Sequence, residues 1–285
     1  MTIQEIVKLA LQEDLGDGDH SSLATIPPDA KGSAELLTKE DGIIAGLEVA
    51  AEVFHQVDKS LKIRFFKKDG NIVRKGEQIL EVDGPARSIL SAERTALNFL
   101  QRMSGIATFT YRVVRKLEGL NTQVLDTRKT TPVNRVVEKM AVRIGGGHNH
   151  RFGLYDMIMI KDNHIDFAGG IENAIRATQD YLKKTERDLK IEIEVRNFQE
   201  LRTVLETGGV HRIMLDNFDP DDLLMAVQII GKKYETEASG GITLNNIREY
   251  AETGVKYISV GALTHQIKSL DLTLKAVKIP VSKSE

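Results

Sequence analysis

The chain has 285 residues, 41% hydrophobic and 28% charged, enough for one large globular domain or two ordinary ones with a full core. Its formal net charge is −2, without the basic excess of a duplex-binding protein, so no nucleic-acid partner is expected. It has no cysteine, which excludes disulfides and thiolate chemistry and leaves only His, Asp and Glu for any zinc.

The opening MTIQEIVKLALQEDLGDGD sets acidic residues among its apolar positions and does not read as a signal peptide. No apolar run is long enough to cross a bilayer, so a cytoplasmic protein with no membrane partner is expected. Ile3, Ile6, Val7, Ala10 and Leu11 recur at helical intervals, predicting a helix over 2–15 that GDGDHSS then breaks. Residues 34–38 and 42–45 read as short strands, and 47–57 as an amphipathic helix. LKIRFFKKDG and EQILEVDG alternate like half-exposed strands ending in turns. DGNIVRKGEQILEVDGPA looks like half of a lipoyl-type hairpin, but no modifiable lysine follows on a second tip, so it is taken as structural. Residues 91–117 are mostly helical despite Gly105.

The rhythm then changes. TQVLDT, AVRIGG, DMIMI, IEIEVR, HRIMLD, YETEASGG and YISVG are short apolar runs that predict strands. Amphipathic helices are predicted between the later ones, over 170–184, 198–207, 220–232 and 244–253. Strand–helix alternation favours a parallel sheet, a barrel more than an open sheet, with a doubly wound sheet as the alternative. Asp126, Lys161, Glu194, Asp216 and Ser239 all fall at or near the C-terminal ends of these strands, where a β/α barrel carries its chemistry.

Positive charge gathers between Leu125 and His164. Arg128, Lys129, Arg135, Lys139, Arg143, Arg151 and Lys161 surround a three-glycine run, against Asp126, Glu138, Asp156 and Asp162. In a nearly neutral chain such a cluster calls for an anionic ligand, or for several anions. His148, His150 and His164 lack the spacing of a zinc site, and Arg151 and Lys161 beside them would repel a cation. Imidazoles donating to an anion fit better. IGGGHNHR lacks a Walker lysine and is weak as a nucleotide loop. EASGGIT and ISVGALTH each pair a strand with a glycine-containing turn before a helix. Such turns let backbone N–H groups approach a phosphate, and the last two loops of a barrel often hold one.

TRKTTP, GGGHNHR and KDNH, in that order, resemble the quinolinate phosphoribosyltransferase family, as do EDLGDGD, ERTALNFLQRMSGIAT, IEIEV, LDNF, EASGGI and SVGALTH. The resemblance spans nearly the whole chain. One departure stands out: the family has glycine after the proline of the TRKT turn, where this chain has Val133 and Asn134. A β-branched residue resists positive φ, so the turn either differs locally or does without its glycine.

The resemblance implies an α/β fold: an N-terminal α/β (α+β) domain over 1–107, joined by the segment 270–285, and an incomplete seven-stranded β/α barrel over 108–269. It implies a homodimer or larger assembly with shared active sites. The implied reaction is that of a pentosyltransferase. Quinolinate and 5-phosphoribosyl 1-pyrophosphate give nicotinate mononucleotide, pyrophosphate and CO2, with Mg2+, in NAD biosynthesis. By the same resemblance Arg94, Arg128, His150 and Arg151 line the quinolinate pocket. Lys129 and Lys161 serve a carboxylate and the pyrophosphate. Glu194 and Asp216 lie toward the ribose hydroxyls and Mg2+, and Ser239, Gly240, Gly241 and Gly261 hold the 5′-phosphate. Lys129, Lys161, Glu194 and Asp216 are the expected catalytic set. Two other functions remain open on the residues alone. One is a related phosphoribosyltransferase acting on another acid. The other is a non-catalytic module binding phosphorylated ligands, which would not need Glu194, Asp216 and the Arg128–Lys129 pair together.

Overall fold

The structure, a computed structural model, describes residues 1–277; residues 278–285, the end of the expected C-terminal segment, lie outside the described residues. In chain order the elements are α1 (Ile3–Leu15), α2 (His20–Thr25), β1 (Lys31–Thr38), β2 (Gly42–Ile43), α3 (Leu47–Val57), β3 (Lys62–Phe65), β4 (Ile72–Val73), β5 (Gln78–Pro85) and α4 (Ala86–Lys116). Then follow β6 (Gln123–Leu125), α5 (Arg135–Ile144), β7 (Ile158–Ile160), α6 (Asp162–Ala168), α7 (Ile171–Thr185), β8 (Ile191–Val195) and α8 (Phe198–Thr207). The last are β9 (Arg212–Asp216), α9 (Pro220–Ile230), β10 (Glu235–Ser239), α10 (Ile247–Glu252), β11 (Tyr257–Ser259), α11 (Ala262–His265) and β12 (Leu272–Val277).

Two compact units emerge. The first takes Met1–Tyr111, Thr130–Gly146 and the chain from Leu263; the second takes Arg112–Lys129 and Gly147–Ala262.

The first unit is built on an antiparallel sheet in the order β12-β1-β5-β3. Along β1, Ala34, Leu36 and Thr38 are buried while their neighbours are not, the period of a strand with one covered face. β2 and β4 form a separate two-stranded pair, so the lipoyl-like stretch is divided between two sheets. α1 starts at a capping box, in which Thr2 and Glu5 satisfy each other's backbone N–H, and it buries Ile6, Val7 and Leu11. α3 buries Leu47, Val49, Ala50, Val53 and Phe54, one continuous apolar face. Gly105 sits inside α4 because a Cβ there would lie 2.4 Å from the backbone oxygen of Lys268. Close approach, not flexibility, explains this glycine in a helix.

AVRIGG is not a strand. Its first four residues are the last four of α5, in which Val137, Ala141 and Val142 are buried at helical spacing, and Gly145 and Gly146 follow the helix. A six-residue window starting at Ala141 cut the helix in two and hid its period. The basic cluster divides accordingly. Arg135, Lys139 and Arg143 ride on α5 in the first unit, and Arg128, Lys129, Arg151 and Lys161 belong to the second.

Val133 takes φ 71°, so the turn keeps the left-handed conformation that the family's glycine would adopt. The surroundings hold it there. Asn134 N–H donates to Thr131 O at 3.1 Å, Arg135 Nε to Thr130 Oγ1 at 3.1 Å, and Thr131 N–H to the buried Glu138 carboxylate at 3.1 Å. A left-handed non-glycine residue costs about 1–2 kcal/mol, more when β-branched, and the Val133 side chain is exposed and recovers little by burial. Glycine would remove the strain but add unfolded-state entropy of about 1 kcal/mol. Val133→Gly is therefore expected to stabilise the protein by roughly 0.5–1 kcal/mol. A melting curve that falls rather than rises would show that the turn is not strained.

In the second unit six strands run parallel in the order β6-β11-β10-β9-β8-β7. From β7 to β11 each strand neighbours the next in sequence, and β11 then pairs with β6, the first. The last strand returning to the first is the pairing of a barrel, and it rules out the doubly wound alternative. Between β6 and β7 the ring is incomplete: the seventh position is reduced to a one-residue parallel bridge between Leu125 and His148. Ile191, Ile193, Val195, Ile213, Leu215 and Ala238 are buried on the strands, and Leu201, Val204, Leu223 and Ala226 cover them from α8 and α9. No helix among the described residues is long and apolar enough to cross a membrane.

Candidate active site

Side chains alternate along a strand, so Glu192 and Glu194 share one face of β8, Arg212 and Asp216 one face of β9, and Glu237 and Ser239 one face of β10. The members nearer the C-terminal ends form one row. Lys161, immediately after β7, places Nζ 2.8 Å from Glu194 Oε2. Asp216 accepts Ser239 Oγ at 2.5 Å and Asn217 Nδ2 at 2.7 Å. Gly240 follows, and a Cβ there would fall 2.2 Å from Asn217 Oδ1, so this turn accepts only glycine. Gly240 and Gly241 both have positive φ, 90° and 62°. Gly261 lies two residues past the end of β11 and is partly exposed.

The cationic row lies on the segments after β6 and after the His148 bridge. Arg128 and Lys129 are exposed, and Lys129 N–H donates to Thr127 Oγ1 at 3.1 Å. Arg151 is partly buried, and its NH1 donates to Met157 O at 3.2 Å. Burial, and after it the positive charge of Arg128, lowers the Arg151 pKa from its ordinary value. These two guanidinium groups are thus close enough to repel. Bringing them together is favourable when an anion joins them.

His150 behaves differently from its neighbours. Its backbone N–H donates to Asp126, itself fully buried, at 2.8 Å, and Asn149 Nδ2 donates to the other Asp126 oxygen at 2.6 Å. Its ring is buried. Nε2 lies 2.9 Å from Glu192 Oε2 and 3.4 Å from Glu237 Oε2, both carboxylates fully buried. Arg212 NH1 lies 2.8 Å from Glu237 Oε2 and 4.0 Å from Glu192 Oε2. Burial works against the imidazolium, but Glu192 and Glu237 outweigh it and raise the His150 pKa to about 9. Arg151 N–H faces Nδ1 at 2.6 Å, which suits an unprotonated Nδ1. The two pulls conflict at Nδ1, while Nε2 faces the carboxylates in either state. Burial, and then Glu237, pushes Glu192 up to about 7.

Glu192, Glu237 and Arg212 escape a reading that looks only at strand ends. Their signal is the doubled glutamate at spacing two in IEIEV and ETEAS, which puts a second carboxylate beneath Glu194 and beneath Ser239. His148 is an exposed sheet partner of β6, and His164 Nδ1 accepts Lys161 N–H at 2.9 Å; neither joins His150. Arg94 is exposed on α4 in the first unit.

A divalent cation was expected at Glu194 and Asp216. Each carboxylate already accepts bonds from neighbours, and they belong to no three-ligand cluster; among the described residues the one such cluster is His150, Glu192 and Glu237. Two carboxylates without a third protein ligand fit Mg2+ that arrives with phosphate oxygens, and do not fit an all-protein cage.

The family description "Quinolinate phosphoribosyl transferase, N-terminal domain" matches residues 19–104, and "Quinolinate phosphoribosyl transferase, C-terminal domain" matches residues 106–275. The chain is 49% identical to the chloroplastic nicotinate-nucleotide pyrophosphorylase [carboxylating] of Oryza sativa subsp. japonica, over 96% of this chain and 77% of that one. It is 42% identical to the probable nicotinate-nucleotide pyrophosphorylase [carboxylating] of Bacillus subtilis (strain 168), over 96% and 93%. The structure of the nicotinate-nucleotide pyrophosphorylase from Francisella tularensis superposes with a TM-score of 0.90 at 41% identity, covering 96% of both chains. With both domain patterns matched in order along a barrel whose strand ends carry the quoted motifs, this chain belongs to the quinolinate phosphoribosyltransferase family.

Proposed function

We propose that this protein transfers phosphoribosyl from 5-phosphoribosyl 1-pyrophosphate to quinolinate with decarboxylation, giving nicotinate mononucleotide, pyrophosphate and CO2, a step of NAD biosynthesis, in the cytoplasm. The observation that carries the reading is the gathering at the strand ends of the neighbouring guanidiniums Arg128 and Arg151, of the Lys161–Glu194 pair and of the Asp216–Ser239 pair. A unit ion pair at 4 Å is worth about 4 kcal/mol at an effective dielectric near 20, so a dicarboxylate and a pyrophosphate need several local cations.

In this reading Arg128 and Arg151 grip the quinolinate carboxylates through bidentate bonds, with Arg94 supplied by a partner copy in a homodimer. Lys129 and Lys161 neutralise a carboxylate and the departing pyrophosphate. Ser239, Gly240, Gly241 and Gly261 hold the 5′-phosphate through hydroxyl and backbone N–H donors. Glu194 and Asp216 face the ribose hydroxyls and oppose the positive charge that develops on the sugar. Glu194 and Asp216 would help hold Mg2+, which would supply neutralisation of the leaving group. The pyridine nitrogen forms its bond to the anomeric carbon as the bond to pyrophosphate breaks. The ring, now cationic, accepts the electron pair left when its adjacent C–CO2 bond breaks, and a proton replaces the lost CO2. His150 serves the same pocket from below, since its ring is turned into the barrel and its backbone carries the chain to Arg151.

Incubation with quinolinate, the sugar pyrophosphate and Mg2+ is expected to yield nicotinate mononucleotide and CO2. Nicotinate is expected to turn over at least tenfold more slowly, because a pocket for two carboxylates leaves cations unmatched when one is missing. Equal turnover of the two acids would assign the enzyme to another acid, and no product from either would leave only ligand binding. A shared site predicts that mixing Arg94→Ala and Lys161→Ala chains, each inactive alone, restores part of the activity through hybrid dimers that carry one intact site. Inactive hybrids, once mixing is demonstrated, would place Arg94 outside the site.

A further inference from the structure

The interior of a β/α barrel is ordinarily filled by bulky branched apolar side chains. Here the layer under the strand-end row is ionic. Glu192 and Glu237 are fully buried and face His150 and Arg212. Two carboxylates oppose an imidazole and a guanidinium, so the layer balances when the ring is charged. Arg212 is anchored further: NH2 lies 3.2 Å from Glu235 Oε2, and the guanidinium stacks 4.1 Å over the Tyr257 ring. A buried ionic group of this kind adds little stability over an apolar filling of the same volume. What it adds is a defined geometry.

That geometry leads to one place. Glu192 and Glu237 face the His150 ring at Nε2 as ion-pair partners, at 2.9 and 3.4 Å without a formed hydrogen bond, and Arg151 N–H is held at Nδ1 of the same ring, at 2.6 Å. Asp126 fixes the backbone one step earlier, through His150 N–H. The backbone that presents Arg151 is therefore gripped from within the barrel, on the side away from the strand-end row. We propose that Glu192 and Glu237, braced by Arg212, are positioning residues for quinolinate: they fix the His150 ring and through it aim the Arg151 guanidinium. The assignment rests on the dicarboxylate reading above. It concerns the acid and not the sugar donor, since in the row above Lys161 pairs with Glu194 and Ser239 with Asp216.

The test compares Glu192→Gln and Glu237→Gln, singly, with Glu172→Gln, at an exposed residue of α7, as a control. Both outer steps are measured for each: binding of quinolinate and of 5-phosphoribosyl 1-pyrophosphate by calorimetry, and the His150 ring by nitrogen NMR. For Glu192→Gln and Glu237→Gln, quinolinate affinity is expected to fall about tenfold or more, the worth of one misplaced charge-assisted hydrogen bond, with sugar-donor affinity within about threefold. The Nε2 proton, slow to exchange with solvent in the native protein, is expected to exchange faster in both. Glu172→Gln is expected to leave quinolinate affinity unchanged. Equal losses for both ligands, or a lowered melting temperature with normal quinolinate affinity, would overturn the proposal and leave the cluster structural. Stoichiometric zinc or manganese uptake by the native protein, abolished by Glu192→Gln, would overturn it in favour of a metal site. If the native protein ignores quinolinate, the dicarboxylate reading fails first, and the NMR arm still reports whether the carboxylates hold the ring.

Discussion

Arg128→Lys is expected to weaken quinolinate binding about thirty- to 150-fold, roughly 2–3 kcal/mol from the loss of a charge-assisted bond. Lysine keeps the charge but cannot reproduce the planar fork that meets a carboxylate with two parallel N–H groups. Thermal stability should hardly move, because Arg128 is exposed and any ion pair it makes on the surface is worth at most about 1 kcal/mol. Affinity for the sugar pyrophosphate should suffer less. A second consequence follows from Arg151, whose guanidinium is held under the positive field of Arg128. Moving the charge out along a flexible lysine relaxes that repulsion, so Arg151 gains nothing in strength but loses the partner that completes the clamp. Calorimetric titrations with each ligand and a melting curve decide the matter. A variant that melts much earlier and binds quinolinate normally would make Arg128 a structural residue.

The second large effect is one of stability. Glu138→Ala is expected to cost about 3 kcal/mol, at the lower end of the 3–5 kcal/mol typical of breaking a buried pair, because Arg102 keeps some access to water. Glu138 is fully buried on α5. One oxygen accepts Arg102 Nε at 3.1 Å and NH2 at 2.9 Å, and the other accepts Thr131 N–H at 3.1 Å. Arg102 NH2 also donates to Thr264 O. Removing the carboxylate strands the guanidinium and the Thr131 amide and takes away the brace of the turn that holds Val133 left-handed. At about 2–4 °C per kcal/mol for a chain of this size class, the melting temperature should fall by roughly 6–12 °C. Glu138→Gln, which can still accept from Thr131, should lose less. A drop within a degree or two for Glu138→Ala would show that the pair is not coupled to folding of the first unit.

Much of the architecture is legible in the residue pattern. The window 47–57 matches α3 to the residue, and 198–207 matches α8, because both are amphipathic over their full length and their ends are marked locally. At α8 the marks are Asn197, which caps Glu200 N–H, and Gly208 beyond the last turn. Glycine turns and strand-end polar residues likewise mark the mouth of a barrel, since alternation and turn chemistry are properties of a few neighbouring residues. α5 is not legible for the same local reason: its apolar period runs over ten residues, and the glycines after it isolate its last four residues as an apparent strand.

What the sequence by itself determined is therefore the order and kind of most elements, the anionic nature of the ligand and the family motifs. The tertiary structure alone decided that β11 closes on β6, because strand pairing joins residues more than a hundred positions apart and leaves no local trace. It decided that Val133 adopts a glycine's conformation, because hydrogen bonds from Arg135 and Asn134 and from Thr131 N–H to Glu138 outweigh a strain that a short window predicts would be avoided. And it turned the His150 ring inward, away from the role of a surface donor, because Glu192 on β8 and Glu237 on β10 reach one point only when the barrel wraps, and two buried carboxylates demand cations where they meet.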